Sequence, residues 1–395
     1  MKTLSLRKGE ERRLEAGHLW IFANEVDTAK TPLKSFAPGE AARVESASGR
    51  PFGLAYVNPN SLICGRVLDT DARTRFDADF VAARLRQALT LREHLFKAPF
   101  YRLCFAEGDF LPGLVVDRFD HVLVVQMTTA GMETRRELVL SVLVDLLQTR
   151  RPLLLKNDLQ VRSLEGLPQT VETALGQVPD EIEIEENGRH FVVPLASGQK
   201  TGWFFDQRDN RLAFARMSVG AHVLDAFSYV GAAGVLAASL GAASATCLDV
   251  SEEALRLVAA NAALNGCPER VTPLHGDALT VMDMLAEEGK KFGAICLDPP
   301  AFIKSRKDQK AGEAAYARIN RQAMRLIEDG GYLMSCSCSQ HLPREGLRQI
   351  IQKAATQAKV RVQIIRQGHQ AADHPVHPAM PETDYLKTFL VRVLR

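Results

Sequence analysis

His222-Val223-Leu224-Asp225-Ala226-Phe227-Ser228-Tyr229-Val230-Gly231-Ala232-Ala233-Gly234 reads as an apolar strand that ends on an acidic residue and runs into a turn of small residues. Small residues let a backbone turn sharply and let a ligand lie against it. Outward from this stretch the chain alternates strand and helix. Further strands are expected at 245–249, 271–274, 294–298 and 332–336. The segments between them carry apolar residues three and four apart, as in Leu255, Val258, Ala259 and Leu264. Such alternation predicts a parallel sheet with helices on both faces, an α/β Rossmann-like fold, with 360–366 and 387–393 forming an antiparallel edge.

Ligands of such sheets gather at the carboxyl ends of the strands. The turn lacks the Gly-Lys-Ser/Thr of a phosphate loop and is not a clean Gly-x-Gly-x-x-Gly. S-adenosylmethionine (SAM), which has no phosphate, tolerates such a looser turn. The contacts expected of it are Asp225, Phe227, Ser228, Tyr229 and Gly231, with Asp249, 24 residues after Asp225, placed to accept from a ribose diol. Asp277 and Ala278 follow the third strand, where an adenine edge would lie. Each acidic strand end could equally be a helix N-cap. Three in register favour cofactor binding.

Two later strands end in Asp298-Pro299-Pro300-Ala301-Phe302 and Ser335-Cys336-Ser337-Cys338. The first resembles the Asp/Asn-Pro-Pro-aromatic element of base-modifying methyltransferases. Its prolines fix φ and remove amide donors, giving a rigid exit that would hold Asp298 towards a substrate and a cofactor and let Phe302 stack on a flipped base. The basic loop from Lys304 is either solvated or a phosphate contact. Carbon 5 of a pyrimidine is a poor nucleophile until a thiolate adds at carbon 6. Cys336 ends the apolar run and is therefore expected at the sheet rim as nucleophile, with Cys338 as the alternative. Cys247 and Cys296 fall mid-strand, as core residues do. With no second cysteine cluster, and with His374 and His377 in a proline-rich loop, no metal site is expected.

The 395 residues, 46% hydrophobic and 24% charged, fit a globular protein, and seven cysteines are too few for a disulfide scaffold. No signal-peptide pattern or run of ~20 apolar residues is present, so a cytoplasmic location without membrane attachment is expected. The net charge of +2 does not announce a nucleic-acid binder, although residues 1–75 hold 12 basic against 9 acidic residues. Their short apolar runs, broken by Gly, Pro and Asn, predict a small β-barrel-like module. Residues 76–180 read as an α+β domain, with a helix capped by Asp77, a hairpin at 114–126 and a helix at 132–148. A second hairpin turning at Asn187-Gly188 leads the domain of 181–395.

The chain resembles the bacterial RlmI-type 23S rRNA 5-methylcytosine methyltransferases over essentially its whole length. The resemblance rests on Glu107 to Asp117 (EGDFLPGLVVD), on Gly198 to Arg208 (GQKTGWFFDQR) and on Phe227-Ser228-Tyr229-Val230-Gly231, where Val230 replaces the usual Thr. It implies a PUA domain, a small α+β domain and a class I methyltransferase domain. It also implies SAM as cofactor, with Lys200, Thr201, Asp206, Gln207 and Arg208 bordering its pocket, and Asp298 orienting a cytosine. Pro299, Pro300, Phe302 and Lys304 would contact the substrate. The partner would be 23S rRNA or a pre-ribosomal large subunit; whether the chain forms a homodimer stays open. An RNA N-methyltransferase acting on an exocyclic amine, and a catalytically silent assembly factor, are the rival readings.

Overall fold

The structure is a computed structural model that describes residues 1–148 and 151–395. The chain divides into two compact units. One comprises 1–182, 194–205 and 372–384; the other comprises 183–193, 206–371 and 385–395.

In the first unit, strands Lys2–Ser5, Glu40–Glu45, Pro51–Val57, Gly65–Asp69 and Trp20–Ile21 form one five-stranded sheet, in that spatial order. Leu4, Ile21, Val44, Ala55 and Val57 are fully buried in its core. The second sheet orders Thr170–Leu175, Leu153–Asn157, Val122–Met127, Leu114–Phe119 and Phe100–Phe105. The helix Ala78–Leu95 that packs on it starts where expected, with the Asp77 carboxylate accepting from the Phe80 N–H at 3.1 Å. The helix expected over 132–148 is two: a turn at Ala130–Glu133 capped by Thr129, and a longer piece at Arg136–Leu146. Charges buried here are paired, as burial demands. Arg92 binds Asp109 at 2.6 and 2.7 Å, and Arg102 binds Asp117 at 2.5 and 2.9 Å. Asp373 ties the segment 372–384 to the same unit through its carbonyl, bonded by Arg92, and its carboxylate, bonded by the Arg102 N–H. His374 and His377 in that segment are buried against Phe105 and Phe110 as packing residues.

The second unit holds a seven-stranded sheet. Its strands are β1 (His222–Ala226), β2 (Ser244–Asp249), β3 (Val271–His275), β4 (Phe292–Leu297), β5 (Ile327–Ser337), β6 (Arg361–Gly368) and β7 (Lys387–Leu394). The spatial order is β3-β2-β1-β4-β5-β7-β6, parallel through β5, with β7 antiparallel to both its neighbours. The helices are α1 (Arg208–Met217), α2 (Ala232–Ser239), α3 (Glu252–Leu264), α4 (Ala278–Glu287), α5 (Gln309–Leu326) and α6 (Arg344–Ala358). Chain order reverses between β1 and β4, which opens a crevice at their carboxyl ends. A hairpin turns at Asn187 and Gly188, both at positive φ (55° and 70°), as a type I′ turn requires. Its second strand docks on α3, with the Val192 N–H donating to Asn261 at 2.6 Å.

β5 is longer than its apolar run. It reaches Ser337, and its residues 332–337 pair in register with 387–392 of β7. Cys336 therefore lies inside the ladder opposite Thr388, not at its end.

Candidate active site

The turn after β1 is shaped by backbone conformation. Phe227, Tyr229 and Gly231 all have positive φ, at 65°, 49° and 81°. Two non-glycine residues in that region mark a turn held against its intrinsic preference. Three contacts hold it: the Ser228 N–H on Leu248 O at 3.0 Å, the Gly231 N–H on Ser228 O at 2.8 Å, and the Tyr229 N–H on Asp249 Oδ2 at 2.8 Å. Asp249 Oδ1 accepts from the Ser251 N–H at 3.0 Å, so the half-buried carboxylate is fixed from two sides at the tip of β2.

Asp225 is 2% exposed and accepts from the Gly234 N–H at 2.8 Å. Burial pushes its carboxyl up to about 7, aided by the negative charges of Asp298 and Asp249 and opposed by bonds from Gly234 and Cys296. It holds α2 against the turn. A Cβ on Gly234 would meet the Cys247 sulfur at 2.4 Å, so only glycine allows that approach. Asp277 is an N-cap: its Oδ1 accepts from the Thr280 N–H and hydroxyl, both at 3.0 Å, leaving Ala278 as the first residue of α4.

SAM suits this crevice. Ser228 Oγ is buried with no hydrogen-bond partner among the described residues, a group that a polar ligand would satisfy. Beside it lie the positive-φ turn and the fixed carboxylate of Asp249.

Asp298 sits half-buried just past β4, where its charge raises Asp225, Cys296 and Cys336 alike. Pro299 is buried and Pro300 exposed. Phe302 leans on Tyr316 of α5, with ring centroids 4.8 Å apart, and stays partly exposed. Lys304 is exposed.

The two thiols differ sharply. Cys336 is wholly buried, accepts from the Thr388 hydroxyl at 3.4 Å and hydrogen-bonds the Gln207 side chain. Burial first, and Asp298 second, hold its thiol well above the ordinary range. Of the seven cysteines, Cys338 alone is not buried, and it lies just beyond the end of β5. Its flanking serines meet at one phenol. Ser337 Oγ donates to Tyr316 OH at 2.9 Å, and Tyr316 OH lies 3.0 Å from Ser339 Oγ. Ser339 Oγ also accepts from the Ile303 N–H at 3.2 Å, which ties the thiol loop to the Pro-Pro exit. Lys387 Nζ donates to Ser339 O at 2.6 Å. The neighbours Tyr316 and Lys387 carry no motif of their own in the sequence; only the fold brings them here.

The segment 198–208 is divided between the two units after Phe205. In the first unit, Thr201 is buried and donates to Asp117 Oδ2, and Lys200 Nζ lies over the Phe204 ring at 4.4 Å. In the second, Asp206 accepts from the Tyr385 hydroxyl, Gln207 Oε1 accepts from Asn210 at 2.8 Å, and Arg208 lies 3.7 Å from Glu186. No group of three or more His, Cys, Asp or Glu among the described residues is placed to hold a metal ion, and no helix among them is long and apolar enough to cross a membrane.

The sheet order and the turn at its switch point define a class I methyltransferase domain. A family model described as S-adenosylmethionine-dependent methyltransferase matches residues 161–391, and a PUA-like domain model matches 4–70. A Streptococcus mutans structure assigned to the SAM-dependent methyltransferases superposes with a TM-score of 0.85 at 19% identity, covering 99% of this chain and all of that one. A second solved methyltransferase, complexed with S-adenosylhomocysteine (SAH), gives 0.86 at 19% identity and the same coverage. Proteins named ribosomal RNA large subunit methyltransferase I are 36% identical in Shewanella denitrificans and 35% identical in Erwinia tasmaniensis, each match covering 99% of both chains. The chain belongs to the SAM-dependent methyltransferases of the ribosomal RNA large subunit methyltransferase I family.

Proposed function

We propose that the protein methylates carbon 5 of a cytosine in large-subunit rRNA through a covalent adduct with Cys338. The substrate class follows from the family and from the PUA-like module at its N-terminus. The observation that carries the mechanism is the contrast between the thiols: Cys336 is sealed in the ladder, whereas Cys338 is the accessible thiol beside the Asp-Pro-Pro exit. A buried thiol held neutral is neither reachable nor nucleophilic.

The cofactor supplies an electrophilic methyl group on a sulfonium sulfur; the turn 227–231, Ser228 and Asp249 would hold it. The target base is flipped from its stack, at a cost of a few kcal/mol. Phe302 and the exposed Pro300 form the rim that receives it, and Asp298 accepts from its exocyclic amine. Cys338 gives its proton to solvent and adds as the thiolate to carbon 6, breaking the C5–C6 π bond and placing its electron pair at carbon 5. That pair forms the new carbon–methyl bond as the sulfonium–methyl bond breaks. A base then removes the carbon 5 proton, the S–C6 bond breaks, and the thiolate leaves.

The test pairs Cys338→Ala with Cys336→Ala, using radiolabelled SAM and rRNA that lacks the modification. Cys338→Ala should lose more than about a thousandfold in turnover and trap no adduct with 5-fluorocytosine RNA. Cys336→Ala should keep both. The reverse pattern returns the nucleophile to Cys336. An N-methylated nucleoside in the digest would replace the covalent mechanism with amine transfer, and no incorporation at all would point to an assembly factor.

A further inference from the structure

We propose that Lys387 is the buried cation that favours the thiolate form of Cys338, a role that rests on Cys338 being the nucleophile. Lys387 opens β7 and pairs in register with Ser337, the residue before Cys338. It is 4% exposed. Its ammonium is held by the carbonyl of Ser339, the residue after Cys338, at 2.6 Å, and by the Tyr385 carbonyl at 2.7 Å. The thiol is thus bracketed in sequence by one residue paired with Lys387 and another bonded to it.

Burying an ammonium is costly, and a fixed positive charge next to a cysteine promotes ionisation. The surroundings call for one. Asp298 at the end of β4 is negative and works against any thiolate nearby, as its effect on Cys296 and Cys336 shows. From α5, Tyr316 offers a phenol that burial keeps neutral. On β5, Cys336 is likewise neutral. The Tyr385–Asp206 pair precedes Lys387, and Asp206 adds a second acidic group. Arg344 of α6 donates to the Leu386 and Gly368 carbonyls on this side. Lys387 is the cation anchored on the thiol loop itself. It acts through Cys338 and is a positioning residue for the reaction.

The experiment follows alkylation of Cys338 by iodoacetamide against pH in the full-length protein, read by peptide mass spectrometry, for the native chain, Lys387→Met and Lys387→Arg. The midpoint should rise by about one unit or more in Lys387→Met, slowing alkylation near pH 7 about tenfold, and stay near native in Lys387→Arg. If Lys387→Met does not fold, Lys387→Gln, a neutral side chain that keeps an N–H donor, takes its place. A native midpoint in the folded neutral variant overturns the role. That result is separable from failure of the nucleophile assignment: a fully active Cys338→Ala enzyme removes the mechanism, while an inactive one with an unmoved midpoint removes only Lys387.

Discussion

The turn after β1 and the loop after β5 end strands of one sheet and are built in opposite ways. The first is a matter of backbone: three positive φ values within five residues and a glycine where a helix must touch a sulfur. The second is a matter of groups that arrive from elsewhere: the Tyr316 phenol from α5, the Lys387 ammonium from β7, and the Ile303 amide from the Pro-Pro exit. One region is a shape written locally. The other is held by partners tens of residues away. The difference predicts that damage to the turn is read in folding and cofactor affinity, and damage to the loop in turnover.

The thiol exchange has the largest expected effect, since Cys338→Ala removes the proposed nucleophile and Cys336→Ala only a small buried side chain. Next comes Gly234→Ala. The added methyl meets the Cys247 sulfur and the Asp225 side chain in a packed core, which should cost about 2–3 kcal/mol in denaturant unfolding and weaken SAM binding. Adding Cys247→Ala should restore part of both. Equal losses in single and double variants would show that the close approach of α2 is not what glycine provides.

Asp225 tests the same turn by titration. Its folded value is about 7 against 3.8 for the free carboxyl, so the folded state holds the extra proton between those limits. Stability should therefore fall as pH rises from about 4 to about 7 and level off above. Asp225→Asn keeps an acceptor for the Gly234 N–H and removes the titration. Its unfolding free energy should exceed that of the native apoprotein at pH 8 by about 2–4 kcal/mol, with the gap closing towards pH 4. A gap independent of pH would show that Asp225 does not titrate in that window.

The same contrast explains what could be read from the chain. The turn was legible: Asp225, Gly231 and Asp249 are local signals, and the strand alternation placed them at one switch point. Asp277 was ambiguous because an acidic residue at that spot both caps helices and meets ligands, and only the Thr280 contacts decide that it caps. The thiol departs from its expected position for a physical reason. Cys336 closes the apolar run, but β5 extends to Ser337 because β7 supplies a ladder partner, and an antiparallel partner fifty residues on leaves no mark on the local pattern. Cys336 thus lies in the ladder and the core, while Cys338 falls just past the strand end. Gln207 shows the same limit, since the family motif marks it while only the fold shows it against Cys336.

Tyr316→Phe is the smallest of the tests and the most direct on the loop. The phenol joins Ser337 to Ser339 across Cys338, so losing it leaves two buried hydroxyls short of a partner, at about 1–2 kcal/mol of stability. The ring stays, and with it the packing on Phe302. The loop should lose its fixed geometry, lowering turnover about tenfold. The KM for SAM should not change, because the contacts that hold the turn, to Leu248 O, Ser228 O and the Asp249 carboxylate, are untouched. Ser339→Ala should behave alike and add little to Tyr316→Phe, as members of one network do. If Tyr316→Phe raises the KM for SAM and spares turnover, the two strand ends are coupled, and the division between a binding turn and a reactive loop fails.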